Sequence, residues 1–498
     1  KLRALVYIVA LTKKELAQKN KIVWGATMLF MLVKVAAASA CSMTPTHLRT
    51  NNLVSPLGIP STHAPLLSWS LADTASPPTR GLVQSAYQIR ASSSPSGMPM
   101  IWDSGKVASS ETLQLAYGGP TLLSSERVWW RVVVWDGADA ECQGSAPDAA
   151  FFEQALVGEA GWAGAEWLAR YAQAPNASGA DGCKLYNASS ARNEVPRFRA
   201  EFDVQAGIIS ARAYVVGLGY YQLFIDGARV GTSYLDPGWT TYSKTTLYST
   251  YDVTSFFAPA SKSSATSTHA VGVELGNGWW NPLPLKFWGH VDLRGAVVQG
   301  EGRGKGGSTS EAMFRLLIVA TLASGAQRTL VKSSSDGGAW RAGGSPTLLN
   351  SIYLGERYDA TRDAAYVGWS TAGFSASGAG WGAPALAASD DVDSLGPLEA
   401  QAVPPIRRVE TLRTTTVSTA RATDGGVAGA TTLILDTGKN HAGVCRFRAR
   451  GAAGSALNMR YGELLMSTGE LNPMTSVAGQ IKGPTENTCI ENRVIGPV

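Results

Sequence analysis

Acidic side chains are the residues of this chain that could perform hydrolytic chemistry. A glycosidase needs two facing carboxyl groups, about 5 Å apart for retention of configuration or about 6.5–9.5 Å apart for inversion. The candidates lie in three short motifs: Glu356 and Asp359 in GERYD, Asp436 in DTGKN and Glu463 in YGELL. Carboxylates in such turn-rich motifs commonly accept hydrogen bonds from nearby backbone instead. We therefore assign no catalytic residue from the sequence.

Other catalytic patterns do not occur in the sequence. The five histidines are scattered, and neither H-E-x-x-H nor G-x-S-x-G is present. The glycine-rich run GEGRGKGGSTS at 300–310 fails as a phosphate loop, because Lys305 is followed by glycine and Gln299 stands where the first glycine belongs. No C-x-x-C pair occurs, which argues against zinc and thioredoxin-type sites. A bridge between Cys445 and Cys489, which lie in one predicted domain, stays open.

Composition favours short strands over long helices. The chain has 498 residues, of which 54 are glycine and 24 are proline, a pattern typical of β-rich chains with frequent turns. This length suggests about three domains. The net charge of +5 is small, and no run of Lys and Arg forms a nucleic-acid patch. We predict no nucleic-acid partner.

The stretch from Ala213 to Thr254 carries the strongest strand and turn signals. Alternating Tyr214, Val216 and Leu218 predict a strand with one buried face, and residues 220–225 predict a second strand. Asp226-Gly227 predicts a type I′ hairpin, in which both central residues need a positive φ. Asp-Pro-Gly at 236–238 predicts another turn. The stretch is therefore expected to form hairpins of an antiparallel sheet.

The same reading along the chain predicts an all-β protein of three consecutive antiparallel β-sandwich domains, the last one incomplete. ERVWWRVVVWD at 126–136 alternates within the first of them, which suits a fibronectin-like or immunoglobulin-like module. The expected divisions are a signal peptide or N-terminal extension at 1–42, a fibronectin type III-like sandwich at 43–155, a linker at 156–195, a second sandwich at 196–385, a linker at 386–407 and a third sandwich at 408–498.

The N-terminus predicts export. Lys19 and Lys21 precede an apolar run at 22–33, and an A-x-A pattern precedes Cys41, as in a secretory signal peptide. The run is about 12 residues long, which is too short to span a bilayer. A buried hydrophobic segment is the alternative. Sequons at Asn176 and Asn187 predict glycosylation sites of a secreted protein.

The amino-acid identities within these motifs indicate a protein family more specifically than the spacing of the motifs does. LSWSL, AYQIRASSS and VWWRVVVWDG are followed by GLGYYQLFIDGARVG, LDPGWTTY, GVELGNGWW and SIYLGERYDA, and then by LDTGKNHAG and RYGELLMSTGELN. From about Leu48 to Gly496 this series resembles the non-catalytic N-terminal half of bacterial-type α-L-rhamnosidases, glycoside hydrolase family 78. Lys439 departs from the family, which usually has glutamine there. The three groups of motifs correspond to fibronectin-like, carbohydrate-binding-module-like and concanavalin-like sandwiches.

The resemblance implies hydrolysis of terminal α-L-rhamnose from glycosides or polysaccharides, with inversion. In the family, an (α/α)6 barrel that follows these sandwiches carries the catalytic carboxylates, and no residue here matches its motifs. We therefore expect the chain to be the accessory part of such an enzyme and to be inactive alone. The alternative is a stand-alone carbohydrate-binding or adhesion protein. An α-helical domain encoded after Val498 would favour the enzyme, and a stop codon there would favour the binding protein.

The resemblance also implies a binding site in the second domain. In some relatives this domain is a calcium-dependent, rhamnose-binding module. By that likeness Asp226 and Asn277 would bind Ca²⁺ together with a carbonyl of Pro282, and oxygen ligands suit this ion. Gly227 stands where a further ligand would be, and Asp226-Gly227 read alone is a hairpin turn. Trp279, beside Trp280, would either stack on a sugar or fill the core.

Overall fold

The computed structural model describes residues 41–78, 80–142, 149–172, 194–257, 266–281, 286–287, 291–292, 311–352, 355–378, 380–420, 432–472 and 475. Strands are far more abundant than helices among these residues, which confirms the all-β prediction. No helix in the described part of the chain is long and apolar enough to cross a membrane. Residues 1–40 of the signal peptide or N-terminal extension expected at 1–42, and both sequons, at Asn176 and Asn187, lie outside the described residues.

The first domain is a sandwich of two small antiparallel sheets. Its strands are β1 (Met43–Thr50), β2 (Leu66–Asp73), β3 (Gln84–Ser92), β4 (Met100–Asp103), β5 (Leu115–Ala116), β6 (Arg127–Asp136), β7 (Glu141–Cys142) and β8 (Ala150–Glu153). One sheet has the order β1-β2-β5, and the other has the order β4-β3-β6-β7 with β8 paired to β6. Alternation along β6 places Val128, Trp130 and Val134 in the core, as the sequence predicts.

A disulfide between Cys41 and Cys142 ties the segment before β1 to β7. The sequence did not predict this pair, because its members are 101 residues apart. Cys445, for which a bridge to Cys489 stayed open, is exposed and forms no disulfide with a described residue. Cys489 lies outside the described residues.

The second domain is a larger sandwich of a five-stranded and a seven-stranded sheet, ordered β13-β12-β16-β10-β21 and β24-β9-β19-β11-β15-β25, with β20 paired to β19. Its strands are β9 (Leu168–Ala169), β10 (Arg197–Val204), β11 (Ile208–Leu218), β12 (Tyr220–Ile225), β13 (Ala228–Arg229), β14 (Ser233–Tyr234), β15 (Thr246–Asp252), β16 (Ser267–Gly276), β17 (Lys286–Phe287), β18 (Val291–Asp292), β19 (Met313–Leu322), β20 (Gln327–Lys332), β21 (Trp340–Gly343), β22 (Thr347–Ser351), β23 (Gly355–Tyr358), β24 (Ala385–Leu386), β25 (Leu398–Ala400) and β26 (Ile406–Arg407). Two short α-helices, α1 (Thr254–Phe257) and α2 (Ser389–Asp393), and 3-10 turns at Glu159–Trp162, Asp336–Gly338 and Ala360–Tyr366 complete it.

Strand β11 is the centre of the second domain, because both of its faces are buried. Ala213 and Val215 point into the core between the two sheets. Tyr214, Val216 and Leu218 point into a second core on the other side of the seven-stranded sheet. All five side chains are fully buried, which confirms the alternation that the sequence predicts and adds a second buried face to it.

Parts of both predicted linkers belong to the second domain. Trp162, in the predicted linker at 156–195, is buried in the second core, and β9 pairs with β19. In the predicted linker at 386–407, β25 pairs with β15 in a parallel arrangement, and Ala400 is buried. The second core therefore needs these segments as its outer cover, because a seven-stranded sheet with apolar side chains on both faces must be covered on both.

The third segment has few contacts with the rest of the described chain. Its strands are β27 (Thr416–Ala420), β28 (Thr432–Asp436), β29 (Leu464–Leu465) and β30 (Leu471–Asn472), and they form two separate two-stranded ladders. Leu433 and Leu435 of β28 are exposed. A two-stranded ladder buries little apolar surface by itself.

Candidate functional site

Asp226 forms the hairpin turn that its sequence predicts. Asp226 and Gly227 have φ values of 49° and 81°, and Ile225 pairs with Ala228 across them. Both carboxylate oxygens of Asp226 have protein partners: Oδ1 accepts a hydrogen bond of 2.8 Å from the Ala270 backbone N–H, and Oδ2 lies 2.6 Å from His269 Nδ1. The side chain therefore fastens the hairpin to β16.

Asn277 follows the last residue of β16 and is held by amide groups. Its backbone N–H donates to Asn350 Oδ1 over 2.9 Å, and its Nδ2 donates to the Asn350 carbonyl over 2.8 Å. Its own Oδ1 accepts from Asn281 Nδ2 over 3.3 Å. Gly219 packs directly against it, since a Cβ on Gly219 would lie 2.2 Å from the Asn277 carbonyl oxygen. This close approach requires a glycine.

Asp226 and Asn277 lie at opposite ends of the β12–β16 pair. In that antiparallel ladder Tyr220 pairs with Gly276 and Ile225 pairs with Val271. Five residues of strand extend over about 17 Å, at roughly 3.4 Å per residue. Calcium ligands lie about 2.3–2.6 Å from the ion. One Ca²⁺ therefore cannot bind to both side chains, and the two residues do not fit the calcium site that the resemblance implied. Pro282, the third expected ligand, lies outside the described residues.

The two adjacent tryptophans have different environments. Trp280 is fully buried, donates a hydrogen bond of 2.9 Å to the Glu311 carbonyl and packs edge-on against Tyr242. Trp279 is only partly buried, and its ring stacks on Trp239 with centroids 4.6 Å apart and an interplanar angle of 18°. Trp239 is 53% exposed. We call the stacked pair of Trp239 and Trp279 the aromatic platform.

Sequence reasoning missed Trp239, although it lies in the motif LDPGWTTY that marked the second domain. The missed signal is that the tryptophan directly follows a tight Asp-Pro-Gly turn, which presents it at the surface. Tyr220 lies at the same end of the domain and shares a side-chain hydrogen bond with Trp279. Burial raises the pKa of Tyr220, and the hydrogen bond with Trp279 opposes this only in part.

The turn that carries Trp239 is anchored at several points. The buried Asp236 accepts a hydrogen bond of 2.8 Å from the Tyr251 hydroxyl, and its carbonyl accepts one of 3.0 Å from the Tyr221 N–H. The Gly238 N–H donates to Gln401 Oε1 over 2.8 Å. These bonds fix the turn to β12, β15 and the segment after β25, so the platform is attached to rigid parts of the domain.

The carboxylates considered for catalysis have local partners. Asp359 accepts a hydrogen bond of 3.0 Å from the Thr361 N–H, and its bonds to Thr361 lower its pKa. Asp436 accepts one of 2.7 Å from the Gly438 N–H. The pKa of Glu356 is raised by burial and by the nearby charge of Glu274. Within the described ranges, no group of three or more His, Cys, Asp and Glu side chains could hold a metal ion.

Three family models match the chain in order. The Rha78A-like N-terminal immunoglobulin domain matches residues 45–158. The α-L-rhamnosidase N-terminal domain matches residues 206–410. The bacterial α-L-rhamnosidase concanavalin-like domain matches residues 427–487.

Curated relatives and solved structures agree with these matches. An α-L-rhamnosidase of Formosa agariphila is 25% identical over 83% of this chain and 40% of its own length, and one of Alteromonas sp. is 28% identical over 88% and 43%. The α-L-rhamnosidase structure from Dictyoglumus thermophilum superposes with a TM-score of 0.63 at 26% identity, over 87% of this chain and 43% of that one. The chain thus spans less than half the length of these relatives.

A further likeness supports the fold alone. The Streptomyces avermitilis α-L-rhamnosidase complexed with L-rhamnose has a TM-score of 0.69 at 21% identity, over 92% of this chain and 55% of that one. The order of the three matched domains is the order of the three β-rich segments in the structure. The chain thus resembles the N-terminal region of bacterial α-L-rhamnosidases, whose three β-domains its sequence matches in order.

Proposed function

We propose that this chain is the accessory, non-catalytic region of an α-L-rhamnosidase that removes terminal non-reducing α-L-rhamnose from glycosides or polysaccharides, with inversion of the anomeric centre. The observation that carries the proposal is the series of three rhamnosidase domains along residues 45–487. The local partners of Asp359 and Asp436 agree with a non-catalytic role for this region.

We also propose that the protein is secreted. The disulfide between Cys41 and Cys142 supports this, because such bonds persist mainly in oxidising compartments. Cys41 lies directly after the predicted cleavage pattern, so the bridge to Cys142 would fix the start of the mature chain to the first domain.

The test is release of rhamnose from p-nitrophenyl α-L-rhamnoside. We expect the full-length gene product to release p-nitrophenol and this 498-residue chain alone to release none. Proton NMR during the first turnovers distinguishes the anomers, and β-L-rhamnose should be formed first. Turnover by the 498-residue chain would overturn the accessory role. Absence of rhamnose release by the full-length product, or initial formation of the α-anomer, would overturn the proposed reaction or its stereochemistry.

A further inference from the structure

We propose that Ser267, His269 and Asp226 form a site that hydrolyses small acyl esters through an acyl-serine. The proposal goes beyond the rhamnosidase function and does not rest on it. Ser267 and His269 lie two residues apart at the start of β16, and Asp226 lies 43 positions before His269. The pairing of β12 with β16 brings Asp226 to the other two residues.

The three side chains form one continuous series of hydrogen bonds. Asp226 Oδ2 lies 2.6 Å from His269 Nδ1, and His269 Nε2 lies 2.8 Å from Ser267 Oγ. An ionised carboxylate can only accept hydrogen bonds, so the proton between the first two groups belongs to Nδ1. In the neutral imidazole, Nε2 then has a free lone pair and accepts from the Ser267 hydroxyl. In this tautomer, histidine can take the proton of a serine nucleophile.

The surroundings of His269 hold its ring in this orientation. Its side chain is 13% exposed, and the Phe257 ring packs edge-on against it with centroids 5.1 Å apart. The other carboxylate oxygen of Asp226 accepts a hydrogen bond of 2.8 Å from the Ala270 N–H, which fixes the carboxylate. Ser267 is exposed, so an ester in solution can reach its Oγ. A fixed base and an accessible nucleophile are what serine catalysis needs.

The backbone supplies a donor for the oxyanion. The Ala270 N–H donates to the Asp226 side chain, and the Ala270 carbonyl accepts from the Asp226 N–H over 2.9 Å. Alternate residues of an antiparallel strand present their N–H groups to the same side, so the Thr268 N–H faces this side too. The β12 ladder ends at Ile225, and no other described strand pairs with Thr268 there. In α/β-hydrolases, the N–H directly after the nucleophile helps to stabilise the oxyanion.

The reaction needs only the ester and water. Ser267 Oγ attacks the ester carbonyl carbon while His269 Nε2 takes the hydroxyl proton. The tetrahedral intermediate collapses, its C–O bond to the alcohol breaks, and His269 gives the proton to the leaving oxygen. Water then attacks the acyl-serine in the same way, which releases the carboxylic acid and returns the proton to Ser267. Because the nucleophile lies at the open surface, a long acyl chain would stay in water, and a small group such as acetyl fits best.

Hydrolysis of p-nitrophenyl acetate by the purified chain tests the proposal. We expect kcat/KM to fall by about 100-fold or more in Ser267→Ala and in His269→Gln, because both residues act on the reacting atoms. Diisopropyl fluorophosphate should inactivate the native chain and label Ser267, which tandem mass spectrometry would locate. The urea-unfolded chain should not be labelled at Ser267, because the hydrogen bonds that activate the serine are then absent.

Asp226 is a positioning residue and needs a different measurement. Asp226→Asn should lower kcat by about 100-fold or more and change KM little, because Asp226 orients His269 and does not touch the ester. An unchanged circular dichroism spectrum would show that the variant is folded.

His63 provides the matched control for hydrolysis by an exposed imidazole. Its Nδ1 lies 2.9 Å from the Thr62 hydroxyl, but no described carboxylate forms an ion pair with it. His63→Gln should therefore hydrolyse the ester like the wild type. Equal rates in the wild type and Ser267→Ala, or no labelling of Ser267 in the native chain, would overturn the proposal. A wild-type kcat in Asp226→Asn would also overturn it.

The outcomes separate this proposal from the proposed function. In the full-length gene product, Ser267→Ala should abolish ester hydrolysis and leave rhamnose release from p-nitrophenyl α-L-rhamnoside unchanged. Ester hydrolysis that depends on Ser267, without rhamnose release by the full-length product, removes the proposed function and keeps the ester site. Rhamnose release without such ester hydrolysis removes the ester site and keeps the proposed function.

Discussion

Removing the charge of Glu153 should loosen the attachment of the first domain to the second. Glu153 ends β8 of the first domain, and its side chain is only 4% exposed. Arg212 of β11, at 9% exposure, donates to both carboxylate oxygens, from Nε to Oε2 over 2.8 Å and from Nη2 to Oε1 over 2.7 Å. Arg127 also donates to Oε1, from Nε over 2.7 Å. Two arginines thus share one buried carboxylate at the domain boundary.

Removing one partner of a buried ion pair leaves the other charge uncompensated and typically costs about 3–5 kcal/mol. We expect a loss of that size for Glu153→Gln, which keeps the volume of the side chain but removes its charge. Burial by itself would lower the pKa of Arg212, but its hydrogen bond to Glu153 and the charges of Glu153 and Asp252 outweigh this and raise it. Asp252 also pairs with Arg212, but its side chain is 49% exposed, so solvent screens its charge and it only weakly replaces Glu153 as a partner of Arg212.

Urea denaturation of the purified chain, followed by tryptophan fluorescence, measures the effect. The double variant Glu153→Gln with Arg212→Met should lose less stability than the sum of the two single variants. In the double variant the guanidinium charge of Arg212 is removed together with the carboxylate that neutralises it. Lys106→Ala is the control, since the Lys106–Asp139 pair is exposed and should contribute less than about 1 kcal/mol. A loss within about 0.5 kcal/mol of the wild type for Glu153→Gln, or simple additivity in the double variant, would refute the reasoning.

Two further predictions concern redox state and pH. Reduction with dithiothreitol should lower the Tm of the first domain, because the Cys41–Cys142 bridge closes a loop of about 100 residues, worth about 4.7 kcal/mol in the chain-entropy model. The Cys142→Ser variant should have a lower Tm from the start, and dithiothreitol should not change it. An unchanged wild-type Tm on reduction would contradict this. Stability should also fall as pH rises from about 10 towards 12. Burial raises the pKa of Tyr214 and of Tyr117 to about 12, from a value near 10 in the unfolded chain. Their contribution to the free energy of unfolding is therefore complete below pH 10 and is lost as pH rises through about 12. Tyr214→Phe should make this fall shallower in thermal melts between pH 9 and 12, and an unchanged slope would count against it.

Local features of the second domain could be predicted from the sequence. Alternation at Tyr214, Val216 and Leu218 identified a buried strand face, and Asp226-Gly227 identified a hairpin with two positive φ values. Both are effects between residues that are close in the chain, so the amino-acid order specifies them directly. The amino-acid identities within the motifs then indicated the family, which the spacing of residues alone could not have done.

The ends of the strands, and therefore the candidate site, were decided by the tertiary structure. The family resemblance implied that Asp226 and Asn277 lie together, but the register of β12 against β16 separates them by about five residues of strand. The sequence did not decide whether Trp279 fills the core or lies at the surface. In the structure its ring stacks on Trp239, 40 positions earlier in the chain. Contacts of this kind depend on how loops return across a sheet, which no local pattern encodes.

The same division holds for the chain as a whole. The sequence by itself determined that this is an all-β chain with rhamnosidase domains, because periodicity, turn residues and motif wording are local properties. Only the tertiary structure decided that Cys41 pairs with Cys142, that parts of both predicted linkers cover the second core, and that Trp239 completes an aromatic platform. Each of these joins residues distant along the chain, and the packing of whole sheets brings them together.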